Sequence, residues 1–120
     1  MKAGHHILIV EDDALQAMDL EFALQEAGFT TIGPAATPSS ALSILDKKLP
    51  DYAILDYNLG HETSADVAVR LRSEEVPFVY ITGQKKQLGA DKSAPRAEMF
   101  QKPYIQSQLI EFIINCLNRR

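Results

Sequence analysis

Short apolar runs alternate with longer amphipathic segments five times along this chain, and that rhythm narrows the fold more than any other feature. Ile7-Leu8-Ile9-Val10 leads into Glu11-Asp12-Asp13, and Tyr52-Ala53-Ile54-Leu55 into Asp56. Phe78-Val79-Tyr80-Ile81 leads into Thr82, and Glu98-Met99-Phe100-Gln101 into Lys102-Pro103. A weaker run, Thr30–Gly33, comes second in the chain. Apolar runs bounded by turn chemistry suit strands buried on both faces. Strands alternating with helices imply an α/β fold with a parallel sheet covered on both sides by right-handed crossovers. If the strands lie side by side, their acids, hydroxyl and ammonium meet at one edge.

The intervening segments read as helices of unequal quality. Ala14 to Ala27 places Ala17, Leu20, Leu24 and Ala27 on one face, with Leu15, Met18 and Phe22 broadening it. Gly28 stands where a C-terminal glycine belongs. Thr37 before Pro38 marks a helix start that runs to about Lys47, with Ala41, Leu42 and Leu45 inward. Thr63 or Ser64 caps a third helix with Val67, Ala68 and Leu71 inward. Gly83–Arg96 is a poor helix, short or mobile: it holds two glycines, a proline, four basic residues and one large apolar side chain, Leu88. The last helix is the clearest, with Ile105, Leu109, Phe112, Ile113, Cys116 and Leu117 in helical register. Ile110 and Ile114 extend its apolar surface toward either the core or a partner.

With 120 residues and 46% hydrophobic side chains, residues 1–120 are expected to form one domain with a real core. A net charge of −4 argues against direct nucleic-acid binding, which rests on Lys and Arg neutralising phosphates. No apolar run approaches a membrane span, no signal peptide opens the chain, and Cys116 has no internal disulfide partner. A cytoplasmic setting is expected.

Two windings fit: strand order 2-1-3-4-5 or 3-2-1-4-5. In the first, Tyr52–Asp56 lies at the centre and the switch point falls between the strand ends that carry Glu11-Asp12-Asp13 and Asp56. Ligands bind outside the carboxyl ends of strands at such a point. No glycine-rich fingerprint follows the first run, which disfavours a dinucleotide. Crowded carboxylates call for protons or a cation, and hard oxygen ligands favour Mg2+, with Mn2+ as a substitute. Asp12 and Asp56 would be direct ligands, Glu11 would act through water, and a carbonyl in the loop after Asp56 could add another. Aspartate can accept a phosphoryl group covalently. Mg2+ and Lys102 would neutralise the transferring oxygens, and Thr82 would donate its hydroxyl.

Val10-Glu11-Asp12-Asp13, Leu55-Asp56-Tyr57-Asn58-Leu59, Ile81-Thr82-Gly83 and Gln101-Lys102-Pro103-Tyr104 stand in order at four strand ends. Over its whole length the chain resembles the receiver domain of bacterial two-component response regulators. The resemblance implies a flavodoxin-like (βα)5 doubly wound five-stranded parallel sheet of order 2-1-3-4-5. It implies Asp56 as phosphoacceptor, Glu11 and Asp12 as the acidic pair, the Asn58 backbone carbonyl as a metal ligand, Thr82 as switch hydroxyl and Lys102 as phosphate-binding base. It also implies a cis Lys102–Pro103 bond. The expected partners are a sensor histidine kinase or a histidine phosphotransfer protein. A downstream protein or a second copy would bind through the side formed by the fourth helix, fifth strand and fifth helix.

Three departures bear on signalling. Met99 stands where the family usually has a rotating aromatic, Gly60 stands where it often has proline, and Gly83–Arg96 replaces a well-formed helix. Tyr80-Ile81-Thr82-Gly83 with the missing aromatic is similar to a subset of stand-alone alphaproteobacterial receivers with a Phe-Ala-Thr-Gly-type motif. The rivals are a phosphorylation-independent interaction module and a small Mg2+-dependent phosphohydrolase. The second would want an aspartate where Asn58 stands. The expectation is therefore a signalling domain, not an enzyme. Simpler roles are assigned to Asp13 as a helix cap, His61 as a solvated loop residue, Tyr80 as a core aromatic with a satisfied hydroxyl, and Cys116 as packing.

Overall fold

The computed structural model describes residues 4–119. In chain order the elements are β1 (His6–Val10), α1 (Ala14–Glu26), β2 (Thr30–Ala35), α2 (Pro38–Lys47), β3 (Tyr52–Asp56), β4 (Asn58–Leu59), β5 (Glu62–Thr63), α3 (Ala65–Ser73), β6 (Phe78–Thr82), α4 (Lys85–Ala90), β7 (Met99–Gln101) and α5 (Gln106–Asn118). Five strands form one parallel sheet, ordered β2-β1-β3-β6-β7, while β4 and β5 pair as a separate antiparallel hairpin. Among the sheet's own strands this is the 2-1-3-4-5 winding, with β3 in the middle.

Alternation along the strands splits the core in two. Leu8, Val10, Ala53 and Leu55 point to the side covered by Ala41 and Leu45 of α2, Val67, Ala68 and Leu71 of α3, and Leu88 of α4. Ile7, Ile9, Ile54, Val79 and Ile81 point to the side covered by Leu20 and Leu24 of α1 and Leu109, Ile113 and Leu117 of α5. Ile110 and Ile114, partly buried, pack against this second core.

Several expectations are corrected. Leu15, Met18 and Phe22 do not broaden the buried face of α1; they are 74%, 62% and 66% exposed. At ~100° per residue they fall on roughly the opposite side from Ala17, Leu20 and Leu24, and an outer-layer helix has only one face against the sheet. Ile105 is the N-cap residue of α5 and is exposed rather than part of its inner face. Leu42 is only partly buried. The strand β2 continues two residues past Gly33 through a cis Gly33–Pro34 bond, with the register breaking between Leu8 and Val10 of β1. An edge strand tolerates the missing N–H of Pro34.

The loop after Asp56 folds as the β4–β5 hairpin. Leu59 faces Glu62 across the two-residue turn Gly60-His61, and Gly60 takes a φ of 68°. That is the first central position of the turn, where glycine carries no Cβ penalty. Gly83–Arg96 yields only the six-residue α4, followed by irregular chain to β7.

Candidate functional site

Glu11 sits just past β1, and its N–H donates to the Ala35 carbonyl of β2 at 2.9 Å. Its side chain bends back to accept the Asp13 N–H at Oε2, 3.0 Å away. Asp13 then caps α1, its Oδ1 accepting from the N–H groups of Leu15 and Gln16 at 3.0 and 3.1 Å. The three consecutive acids thus divide their roles: Asp13 is spent on the helix, while Glu11 and Asp12 remain for the site.

At the end of β3, Asp56 is 6% exposed and pairs in register with Ile81 of β6. The next N–H, of Tyr57, donates to the Ile81 carbonyl at 2.8 Å, so both strands stay locked up to the site. One carboxylate oxygen each from Glu11, Asp12 and Asp56 lies within 4.8 Å of the others. Thr82 closes β6, fully buried, with Oγ1 accepting the Gln84 N–H at 2.9 Å. Its own hydroxyl proton remains free to donate. The Thr82 carbonyl accepts the Lys102 N–H at 2.8 Å, which ties the loop after β7 to the same edge, and the Lys102–Pro103 bond is cis.

The Lys102 ammonium reaches into the acid cluster. Nζ donates to Asp56 Oδ2 at 2.8 Å and to Gln16 Oε1 at 2.8 Å, and stands 3.6 Å from Glu11 Oε1. Burial works against its charge, but Asp56 and Glu11 outweigh that and hold its pKa above the ordinary lysine value. Glu11 shows the opposite imbalance. Burial first, then its hydrogen bond and charge repulsion with Asp56, push its carboxyl up to about 7, against the Asp13 N–H and Lys102. One ammonium therefore leaves the cluster short of positive charge. Three clustered oxygen donors without sulfur or histidine match a hard divalent cation of the Mg2+ type.

Of the remaining expectations, Asn58 opens β4 two residues beyond Asp56, and its Nδ2 donates to Gln87 Oε1 of α4 at 3.1 Å. His61 is exposed at the hairpin turn and is not in the acid cluster. Tyr80 is buried and its hydroxyl donates to the Pro95 carbonyl at 2.7 Å, as a satisfied core tyrosine. Met99 packs partly buried on the α2–α3 side of the sheet, whereas Phe100 points to the other side, edge-on to Phe112 at 5.7 Å.

Three site neighbours went unassigned in the sequence. Gln16 holds Lys102, and its only advance sign is its position three residues after the Asp13 cap. Tyr57 donates its hydroxyl to Asp91 Oδ2 just after α4. Tyr104 is half-buried by the acids; burial, with the charges of Glu11 and Asp56, pushes its phenol up to about 12. Gln16, Asp19, Phe22, Lys102, Pro103 and Tyr104 line a groove of about 650 Å3 beside the site.

A doubly wound parallel sheet carrying an acid cluster and a lysine over the carboxyl end of its central strand defines the class: flavodoxin-like α/β domains with a strand-end site. Within that class, the chain belongs to the response regulator receiver domain family, whose model matches residues 7–114. It is 29% identical over 116 residues to the transcriptional regulatory protein PdtaR of Mycobacterium tuberculosis, covering 94% of this chain and 57% of that protein. It is 34% identical over 101 residues to the phyllosphere-induced regulator PhyR of Methylorubrum extorquens, covering 82% of this chain and 38% of that one. The receiver domain of the Erythrobacter litoralis PhyR response regulator superposes with a TM-score of 0.85 at 25% identity, over 96% of this chain and 91% of that one. The chain thus spans about half the length, or less, of these two curated relatives. No helix among the described residues is long and apolar enough to cross a membrane.

Proposed function

We propose that residues 1–120 act as one receiver unit whose phosphoacceptor is Asp56, supplied by the phosphohistidine of a sensor kinase or a phosphotransfer protein. The observation that carries this reading is the Lys102 ammonium held 2.8 Å from Asp56 Oδ2 within a cluster of three carboxylates. An Asp56 carboxylate oxygen forms the new bond to phosphorus as the bond to the imidazole nitrogen breaks. The imidazole leaves with the electron pair and takes up a proton. Lys102 neutralises the developing charge on the phosphoryl oxygens, and the free hydroxyl proton of Thr82 meets one of them. Glu11, Asp12, Asp56 and the Asn58 carbonyl would hold Mg2+, which when bound would neutralise further oxygens. The role is signalling in a cytoplasmic setting rather than turnover of a metabolite.

Readout is assigned to the segment from α4 to β7 in place of an aromatic rotation at Met99. The two residues after Asp56 both hold that segment, Tyr57 through Asp91 and Asn58 through Gln87. Extra charge at Asp56 that draws Thr82 inward also pulls on Gln84, which heads α4. A downstream protein or a second copy would bind on the α4–β7–α5 side.

The test is an intact mass after incubation with Mg2+ and a small phosphodonor such as phosphoramidate. One phosphoryl adduct on the wild type, absent in Asp56→Asn, is expected. No adduct with any donor would leave an interaction module, and sustained turnover of phosphomonoesters would indicate a phosphohydrolase instead.

A further inference from the structure

We infer that Gln16 is a positioning residue for the phosphoryl group: it fixes the Lys102 ammonium against Asp56 before donor or metal arrives. This rests on the phosphoacceptor reading above and adds a residue to it. The argument begins with helix capping. Gln16 is the third residue after the α1 cap, and a glutamine there ordinarily turns back to accept the N–H of the cap residue. Here that N–H is already taken, because Asp13 N donates to Glu11 Oε2 at 3.0 Å. The Gln16 amide is therefore released from its local role.

It is used across the fold instead. Oε1 accepts from Lys102 Nζ at 2.8 Å, and Nε2 donates to Asp13 Oδ2 at 3.4 Å. The donating side of the amide toward Asp13 sets the accepting side toward Lys102. One ammonium has three N–H bonds to place. Asp56 takes one, Gln16 takes a second, and the third side faces Glu11 Oε1 at 3.6 Å. A lysine is a compact charge on a flexible stem with many rotamers. Without Gln16, no neutral side chain among the described residues bonds the ammonium, and its direction is left to carboxylates that a cation would engage. A neutral acceptor orients the ammonium without competing with Asp56 for its charge, so the cation stays available to incoming phosphoryl oxygens. Gln16 and Lys102 also line the same groove.

Two measurements on the full chain test this. The first is the rate of adduct formation from phosphoramidate and Mg2+, read by intact mass. The second is the 15N–1H signal of the Lys102 ammonium in metal-free, phosphate-free protein, assigned by its loss in Lys102→Arg. Gln16→Met keeps the length and helix preference of the side chain but offers no oxygen. It should broaden the ammonium signal beyond detection and slow adduct formation about three- to tenfold, the range of one ordinary solvent-exposed hydrogen bond. Gln16→Glu, with an oxygen at the same reach, should retain the signal. A Gln16→Met protein with wild-type signal and rate overturns the inference, as does a slower rate with an unchanged signal. If the wild type takes no adduct, the phosphoacceptor reading fails, while the ammonium signals still decide whether Gln16 holds Lys102.

Discussion

Ser64 occupies the N-cap position of α3, yet its side chain caps nothing: Oγ is buried with no hydrogen-bond partner among the described residues, and Thr63 Oγ1 accepts the Ala65 N–H at 3.4 Å instead. A buried hydroxyl that forms no bond costs its desolvation. Ser64→Ala should therefore leave stability unchanged or raise it by up to about 1 kcal/mol in urea unfolding. Thr37 makes the contrast, because its hydroxyl does accept the Ser40 N–H at 3.1 Å, so Thr37→Ala should cost about 1 kcal/mol. Gly33 sets a harder limit. With φ at 94°, a Cβ there would lie 2.8 Å from both the Ala35 nitrogen and the Ile9 carbonyl oxygen. Gly33→Ala should destabilise by more than the ~1–2 kcal/mol of the left-handed conformation alone, seen as a clear fall in the unfolding midpoint. The Thr37 cap was legible in the sequence, but the idle Ser64 hydroxyl and the crowding at Gly33 were not. Thr63 and Ser64 are equally good caps by type, and one of the two atoms crowding Gly33, the Ile9 carbonyl oxygen, belongs to a strand more than twenty positions away.

At the level of elements, two helices end in the same motif with different residues. In α1, Gly28 N donates to Gln25 O and Phe29 N to Leu24 O; in α3, Glu75 N donates to Arg72 O and Val76 N to Leu71 O. Gly28 was readable as the stop because glycine takes positive φ freely. Glu75 carries a φ of 60° with a side chain, and no sequence rule marks it. The left-handed cost of ~1–2 kcal/mol exceeds the ~0.5–1 kcal/mol that glycine adds in entropy. Glu75→Gly should thus stabilise the fold by about 0.5–1 kcal/mol, raising the melting temperature. The weak helical character of Gly83–Arg96 was legible, because glycine, proline and like charges oppose a helix. The ties that hold it were not, since Tyr57, Asn58 and Tyr80 reach it from other elements. Tyr57→Phe removes one tie and should speed amide exchange in residues 84–97, leaving β3 protected. Exchange that stays at the wild-type rate would remove Tyr57 from the readout.

For the whole molecule, the acid cluster could be anticipated, because strand ends of a parallel sheet share one edge and each carried its chemistry in sequence; the residues alone left two sheet orders open, and the resemblance to receiver domains chose between them. Helical spacing already sets Leu15, Met18 and Phe22 opposite Ala17, Leu20 and Leu24; taking apolar character alone as a sign of burial misplaced that outward stripe. The cluster's deficit of positive charge has a global effect: an ion that binds only the folded chain stabilises it. Mg2+ at about ten times its dissociation constant should add about 1.4 kcal/mol and raise the melting temperature by several degrees. Asp12→Ala should abolish that rise. Equal responses in both proteins would remove Asp12 from the metal site.

The two borders of the main sheet also bear on how the chain behaves in crowded solution. On one border, β2 contains Pro34, which has no N–H, and its register with β1 is broken. On the other, β7 is only three residues long. A foreign strand seeking to extend the sheet would find no long, unbroken row of donors and acceptors on either side. Growth by strand addition is checked at both ends, so the fold can collect its chemistry on the carboxyl edge of the sheet without offering its flanks as templates.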